Sequence, residues 1–249
     1  VGLIDAGVQR THSVFDGVTI HEHGCAGTIP SAHGTAVASL IVGRTQEFHG
    51  SAAGAELYAA DVYCGLATGG AIDVIADAFA WMARERVPVI NISLVGPANA
   101  LLEQIVGLMT ARGHIVVAAV GNDGPGAPPL YPAAYPDVVA VTGVDSKRRV
   151  LLEACRGKHV DFAAPGANMS AAGLETPFGL VRGTSFAAPI AAGLLAKHLP
   201  QPDRERAQSA IAALKSQVID LGARGPDKIY GNGLIGEALR PPENLTAVR

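Results

Sequence analysis

The chain has 249 residues, of which 49% are hydrophobic and 16% are charged, and its formal net charge is −3. This apolar composition excludes a disordered protein, and the slightly negative charge excludes the strong basic field of a nucleic-acid-binding protein. No apolar run reaches the roughly 18 residues of a membrane span, and no signal peptide is visible.

Apolar runs and helical patterns alternate along the chain. Strands are predicted at Val1–Ile4, Leu57–Val62, Val87–Ile92, Ile115–Ala119, Val138–Val141 and Val160–Ala163. Helices are predicted at Gly34–Val42, Ile72–Arg84, Ala100–Arg112, Ser185–His198 and Asp203–Ser216. Alternation of apolar strands with helices predicts a three-layer, doubly wound α/β fold, with a mainly parallel sheet covered by helices on both faces. Ligand sites in such sheets lie at the carboxyl ends of the strands.

Two ionisable side chains fall at this edge in the first part of the chain. Asp5 follows the first strand directly, a position that is also typical of an ordinary turn aspartate. His33 opens a helix of small residues, where the helix dipole disfavours the imidazolium and favours a neutral ring. A neutral ring can act as a general base, although taken alone this histidine also fits a capping or core role.

Two further polar side chains fall at the same edge later in the chain. Asn122 ends an apolar strand, where its amide could hold an oxyanion or simply form a turn. Ser185 lies in the segment GTSFAAP, at residues 183–189, and begins a predicted helix whose free backbone N–H groups converge on it. Taken alone, it is either a nucleophile or an N-cap serine. Pro189 is expected in the first turn of that helix, where proline costs little.

Together these residues predict an acyl-transfer site, and the segments that carry them resemble a known family. DAG, HGTAVA and GTSFAAP resemble, in this order, the three signatures of the subtilases, the subtilisin-like serine proteases of peptidase family S8. VINISL at 89–94 and YGNGL at 230–234 are similar to other family segments, so the resemblance covers nearly the whole chain. It implies a serine endopeptidase in which Ser185 is the nucleophile, His33 the general base, Asp5 the orienting acid and Asn122 the oxyanion donor.

The resemblance also implies a cleft that binds a peptide or protein substrate as an added β-strand. One wall would be formed by residues 93–96 and the other by residues 65–70, and small residues at 118 and 119 would favour a sizeable apolar side chain before the scissile bond. The cleft residues implied are Ser93, Leu94, Val95, Gly96, Gly65, Ala118, Ala119, Val120 and Gly121.

Several other expectations come with the family. No cofactor is required for the chemistry, and calcium, which many subtilases bind, is not indicated because no Asp-rich loop is present. The resemblance allows for a propeptide and implies a secreted or cell-surface protein. Because the chain opens on an apolar strand with no start methionine, we expect residues 1–249 to be one catalytic domain excised from a longer precursor.

The sequence departs from the family at a few positions. Ala6 stands where Thr or Ser usually follows the catalytic acid, which removes a hydrogen bond to Asp5. Val95 stands where a second glycine is common, which narrows the cleft. His21 and His23 form a His-x-His pair without clear further metal ligands.

The three cysteines, Cys25, Cys64 and Cys155, are widely spaced. Their spacing does not match that of metal ligands, and their odd number leaves at least one cysteine unpaired within the chain. Cysteine usage therefore does not identify the compartment. Cys64 either lines the cleft or, as small buried cysteines often do, packs as an apolar residue.

Two other functions compete with an active endopeptidase. The segment around Ser185 approaches the GxSxG motif of α/β-hydrolases, but that fold needs an acid and then a histidine after the serine. Here His198 is the only histidine after Ser185, and no acid lies between them. The second alternative is a catalytically silent subtilase-like module of a larger protein that binds peptides without cleaving them.

Overall fold

The computed structural model describes residues 1–25, 27, 29–66 and 68–245, so the expected domain 1–249 ends outside the described residues. The strands are β1 (Gly2–Asp5), β2 (Ile20–Gly24), β3 (Leu57–Asp61), β4 (Val89–Ile92), β5 (Ile115–Ala119), β6 (Val139–Val144), β7 (Phe162–Pro165), β8 (Ala167–Ala172) and β9 (Phe178–Arg182). The helices are α1 (Ala32–Val42), α2 (Ile72–Arg84), α3 (Ala100–Ala111), α4 (Thr184–Ala196) and α5 (Arg204–Lys215). Short 3-10 turns lie at Ser13–Phe15 and Glu237–Leu239.

The first seven strands form one parallel sheet in the order β2-β3-β1-β4-β5-β6-β7, and β8 and β9 form an antiparallel hairpin. Alternate residues of β1 and β3 to β7 point to opposite faces of the sheet, and both sets are largely apolar. One set packs against α1, α4 and α5 and the other against α2 and α3. The expected three-layer, doubly wound α/β fold is therefore confirmed.

The strand order creates a crevice at one point of the sheet. The chain builds β2 and β3 on one side of β1 and then crosses to build β4 to β7 on the other side. At such a switch point the connections leave the two neighbouring strands in opposite directions and open a cleft beyond their carboxyl ends. The cleft between the ends of β1 and β4 is the place where the topology predicts a ligand.

Two parts of the sheet structure were not expected from the sequence. Strand β2 has the sequence IHEHG, which lacks an apolar run because it is an edge strand whose side chains are half-buried or exposed. The hairpin of β8 and β9 also lacks regular alternation, and its register shifts between Ala167 and Met169.

Several predicted ends differ from the structure by a few residues. Helix α1 begins before Gly34, at Ala32, and Asp203 caps α5 with its carboxylate instead of lying inside the helix. Strand β6 extends to Val144, and β7 begins at Phe162. In the described part of the chain, no helix has the length and apolar character needed to cross a membrane.

Candidate active site

Asp5 and His33 form the best-defined contact of the cleft. Asp5 is the last residue of β1 and is completely buried, and its Oδ1 atom lies 2.8 Å from His33 Nδ1. A carboxylate can only accept a hydrogen bond, so the contact places a proton on Nδ1 and leaves Nε2 of the neutral ring free. The backbone N–H of Ala6 donates a second hydrogen bond to the same Oδ1 atom, at 2.7 Å.

The second carboxylate oxygen of Asp5 differs from the first in its hydrogen bonding. Asp5 Oδ2 is buried and has no hydrogen-bond partner among the described residues. The side chain of Ala6, which follows Asp5, has no hydroxyl to donate. The expected loss of a hydrogen bond at this position therefore corresponds to a buried acceptor atom without a partner among the described residues.

The pKa of His33 differs from the expectation for a helix N-terminus. Burial of the ring lowers this pKa, but the hydrogen bond to Asp5 and the charge of its carboxylate raise it, and the net result lies above the ordinary value of 6.5. The dipole of α1 favours a neutral ring, yet the carboxylate at 2.8 Å is nearer and carries a full charge. The imidazolium form is thus favoured more than the helix position alone predicts.

Helix α1 reaches Asp5 because a glycine follows the histidine. A Cβ atom on Gly34 would lie 2.1 Å from the carbonyl oxygen of Ala6, far inside contact distance, so only glycine lets the helix pack this closely on the end of β1. Ser31 caps the helix, and its Oγ accepts a hydrogen bond from the His33 N–H at 3.2 Å. The capped first turn thereby sets the position of His33 beside Asp5.

Ser185 lies in the first turn of α4, and Gly183 is the N-cap. The serine is therefore not an N-cap residue, and Pro189 lies beyond the first turn, contrary to the sequence expectation. Pro189 has no N–H to donate to the carbonyl of Ser185 four residues earlier. That carbonyl accepts a hydrogen bond from Ser93 Oγ instead, at 3.2 Å, which ties α4 to the segment after β4.

Asn122 lies next to the start of α4. Its Oδ1 atom accepts a hydrogen bond from the N–H of Thr184 at 3.0 Å, which orients the amide so that the Nδ2 donors are left for another acceptor. The preceding Gly121 has φ +99° and donates its N–H to Thr184 Oγ1 at 3.2 Å. Asn122 is thus held against the turn that carries Ser185.

A cleft of about 650 Å³ joins three of the four residues, whereas Asn122 is exposed and is not among the residues that line it. Asp5, His33 and Ser185 lie on it together with Ser93, Leu94 and Val95 from the segment after β4. Gly65 lies on the opposite side. Gly96 continues the first wall and pairs with Tyr131 through two backbone hydrogen bonds of 2.9 Å. Residue 67 of the expected second wall lies outside the described residues.

The remaining cleft residues predicted from the sequence are placed differently. Ala118, Ala119 and Val120 are completely buried between the sheet and its helices, so their side chains are not exposed to the cleft. Gly121 directly precedes Asn122 and is covered by another side chain, Leu130.

The structure adds cleft residues that sequence reasoning missed. Ile29, Pro30, Tyr63 and Leu66 line the same cleft and add apolar surface to it. They lie in irregular segments without a periodic pattern, so the sequence offers no signal for them beyond the position of residues 63–66 next to the expected wall.

Cys64 is neither a cleft thiol nor a small packed residue, because it forms a disulfide bond with Cys25. The bond joins the segment after β3, which is one side of the cleft, to the end of β2. Cys155 is buried and is a free thiol in the described part of the chain.

The His-x-His pair of β2 makes other contacts. His21 Nε2 lies 3.1 Å from Glu56 and His23 Nε2 lies 2.7 Å from Asp77. The His23 ring also stacks on Trp81 at 4.7 Å between ring centroids. Among the described residues, no group of three or more His, Cys, Asp or Glu side chains could hold a metal ion.

Comparison with known proteins gives the same family along the chain. The family model described as the subtilase family matches residues 1–233. Subtilisin Savinase of Lederbergia lenta is 34% identical over 82% of this chain and 76% of its own length, and subtilisin DY of Bacillus licheniformis is 31% identical over 94% and 88%. The minor extracellular protease Epr of Bacillus subtilis is 29% identical over 94% of this chain, which spans only 37% of that protein.

Solved structures share the fold. The prenylagaramide maturation protease PagA has a TM-score of 0.82 at 24% identity, covering 96% of this chain and 91% of that one. The self-cleaved protease domain of PatA has a TM-score of 0.81 at 26% identity, covering 95% and 92%. With a family model that matches almost the whole chain and relatives above 30% identity, the chain belongs to the subtilase family of serine proteases.

Proposed function

We propose that this protein is a serine endopeptidase that hydrolyses peptide bonds through an acyl-enzyme. The observation that carries the proposal is the 2.8 Å hydrogen bond between buried Asp5 and His33, in a cleft that also holds Ser185. This contact leaves Nε2 of the neutral His33 ring as the group that accepts the Ser185 proton. Hydrogen bonds to a nucleophile often form fully only with substrate bound, so the serine–histidine contact is assigned to the working complex.

The chemistry follows from these positions. Ser185 Oγ attacks the peptide carbonyl carbon while His33 takes the hydroxyl proton, and the imidazolium is stabilised by the Asp5 carboxylate. The carbonyl oxygen becomes an oxyanion that accepts hydrogen bonds from Asn122 Nδ2 and from the N–H of Ser185 at the start of α4. His33 then protonates the leaving amine, and a water molecule repeats the cycle to release the acyl group.

The substrate would bind as a strand beside residues 93–96. Residues 93–95 continue past the end of β4 and, within the described part of the chain, pair with no other strand. Their free backbone groups can add a peptide strand, with Gly65 on the opposite side of the cleft. A propeptide would bind in the same way.

A secreted or cell-surface location completes the proposal. The disulfide between Cys25 and Cys64 suits an oxidising environment, where such bonds persist. The relative Epr is an extracellular protease by name.

The test is labelling of the intact protein with a fluorophosphonate probe, followed by hydrolysis of a peptide library. We expect labelling of the wild-type protein and none of Ser185→Ala or His33→Ala, because both residues are needed to form the bond to phosphorus. Folded wild-type protein that binds peptides without labelling or cleavage would instead identify a silent peptide-binding module.

A further inference from the structure

We infer that this enzyme cleaves after small residues, glycine, alanine or serine, because the side chain of Leu130 fills the space that a larger substrate side chain needs. The inference rests on the proposed endopeptidase function and names its substrate class. It differs from the sequence expectation of a sizeable apolar residue, which depended on the small residues 118 and 119 alone.

The position of the substrate side chain follows from the chemistry. The carbonyl carbon under attack lies against Ser185, and its oxygen points to Asn122. The side chain of the same residue begins one bond away from that carbon, with its Cβ roughly 2.5 Å from it. The residue next to Asn122, Gly121, therefore borders the space where this side chain starts, and residues 93–96 border it from the other strand.

The side chain of Leu130 lies against Gly121, in the space where the substrate side chain would start. A Cβ atom built on Gly121 would lie 2.4 Å from Leu130 Cδ1 and 3.3 Å from Cys155 Sγ, so the leucine methyl group covers the bare backbone of Gly121. Such close coverage leaves no gap into which a substrate ring or branched chain could be inserted beside this glycine.

The backbone holds Leu130 in place. The next residue, Tyr131, exchanges two hydrogen bonds of 2.9 Å with Gly96, which joins the segment of Leu130 to the wall of the cleft. The Leu130 carbonyl also accepts a hydrogen bond from the N–H of Ala134 at 3.0 Å. These hydrogen bonds fix the Leu130 carbonyl and the residue that follows it, so a larger substrate side chain has to displace the leucine side chain itself.

The wall formed by residues 93–96 narrows the space for the substrate side chain from the other side. Val95 is 45% exposed and stands on the rim of the cleft with a branched side chain. Ala118 and Ala119 are completely buried in the sheet, so they cannot shift to enlarge the space for a substrate side chain. Gly121 and Leu130 are not among the residues that line the open cleft. The cleft extends from Ser185 past His33 to Ile29 and Leu66, where residues farther from the scissile bond would bind.

The experiment uses peptides that differ only in the residue before the scissile bond: glycine, alanine, valine, leucine or phenylalanine. We expect the wild-type kcat/KM for alanine to exceed that for phenylalanine by 10-fold or more, since a single excess methylene in a closed pocket already changes it by about 10-fold. Leu130→Ala should bring the two values within about threefold by raising the phenylalanine value. The matched control is Leu108→Ala, because Leu108 is an exposed leucine of α3 and lies away from the cleft.

Each outcome decides the inference. Wild-type protein that prefers phenylalanine, or a ratio that Leu130→Ala leaves unchanged, overturns it. If Leu130→Ala does not fold, the smaller change Leu130→Val replaces it and should raise the valine and leucine values severalfold, and an unchanged profile would again be contradictory. Fluorophosphonate labelling separates the two proposals: no labelling of wild-type protein rejects the endopeptidase, whereas labelling with a preference for large residues rejects only the role of Leu130.

Discussion

At the scale of single residues, two opposing effects set the pKa of His33. Its pKa results from burial, which lowers it, and from the Asp5 carboxylate, which raises it and prevails. His114 is buried and His159 is half-buried, neither has such a carboxylate partner among the described residues, and burial lowers the pKa of both. The pKa of His33 therefore lies above the ordinary value of 6.5, and the pKa values of His114 and His159 lie below it.

This difference predicts a pH profile. General-base catalysis needs neutral His33, so kcat/KM should fall as the pH drops through a midpoint above 6.5. In Ser185→Ala protein, NMR titration should place the His33 midpoint above 6.5 and those of His114 and His159 below it. Asp5→Asn should move the His33 midpoint downward, and an unmoved midpoint would show that Asp5 does not set it.

Ala6 follows Asp5, whose Oδ2 atom has no hydrogen-bond partner among the described residues, so a hydrogen-bond donor at position 6 should stabilise the protein. Ala6→Thr should supply a hydroxyl donor and raise the free energy of unfolding by about 1 kcal/mol, with faster fluorophosphonate labelling because the carboxylate is held more firmly. Ala6→Val has the same shape without the hydroxyl and is the control. Urea unfolding and labelling rates that are equal for the two variants would contradict this role.

At the scale of elements, the approach of α1 to β1 decides whether the site assembles. Gly34 allows this approach, since its backbone lies against the Ala6 carbonyl. Gly107 in α3 offers a contrast, because a Cβ atom there would meet no atom within 4 Å.

The two glycines should therefore respond oppositely to the same substitution. Gly34→Ala should lower the free energy of unfolding by about 1–3 kcal/mol and reduce labelling sharply, because α1 and His33 are pushed away from Asp5. Gly107→Ala should raise stability by about 0.5–1 kcal/mol and leave labelling unchanged, because alanine is the better helix former. Equal effects of the two changes in urea unfolding and labelling would exclude a special role of the close approach.

The sequence was sufficient for the elements that bury apolar runs and for the polar residues in signature segments. Strands β1 and β3 to β7 and helices α1 to α5 follow from the apolar pattern, and Asp5, His33, Asn122 and Ser185 each lie at or next to a strand or helix end. Strand β2 was missed because an edge strand with the sequence IHEHG has no apolar pattern. Leu130 and the Cys25–Cys64 bond were missed because both depend on contacts between distant segments.

At the scale of the whole molecule, the disulfide bond ties one side of the cleft to the sheet. The cysteines are 39 positions apart, so the bond restricts the unfolded chain considerably. The chain-entropy estimate for a loop of this length is about 4 kcal/mol.

Reduction should therefore destabilise the protein. We expect dithiothreitol, or the double change Cys25→Ala with Cys64→Ala, to lower the free energy of unfolding by about 2–4 kcal/mol in urea titrations. Cys155→Ala should keep its sensitivity to dithiothreitol, because Cys155 is a free thiol. A wild-type protein whose stability is the same with and without reductant would contradict this contribution.

The order of the elements along the chain also decides when the proposed activity can begin during synthesis. The acid enters with the first strand, but the serine enters only with α4, after all seven strands of the main sheet have been made. A nascent chain that lacks α4 holds Asp5 and His33 without a nucleophile, and distant contacts of this kind form slowly. A partly synthesised chain that ends before α4 therefore cannot hydrolyse peptides through the proposed triad.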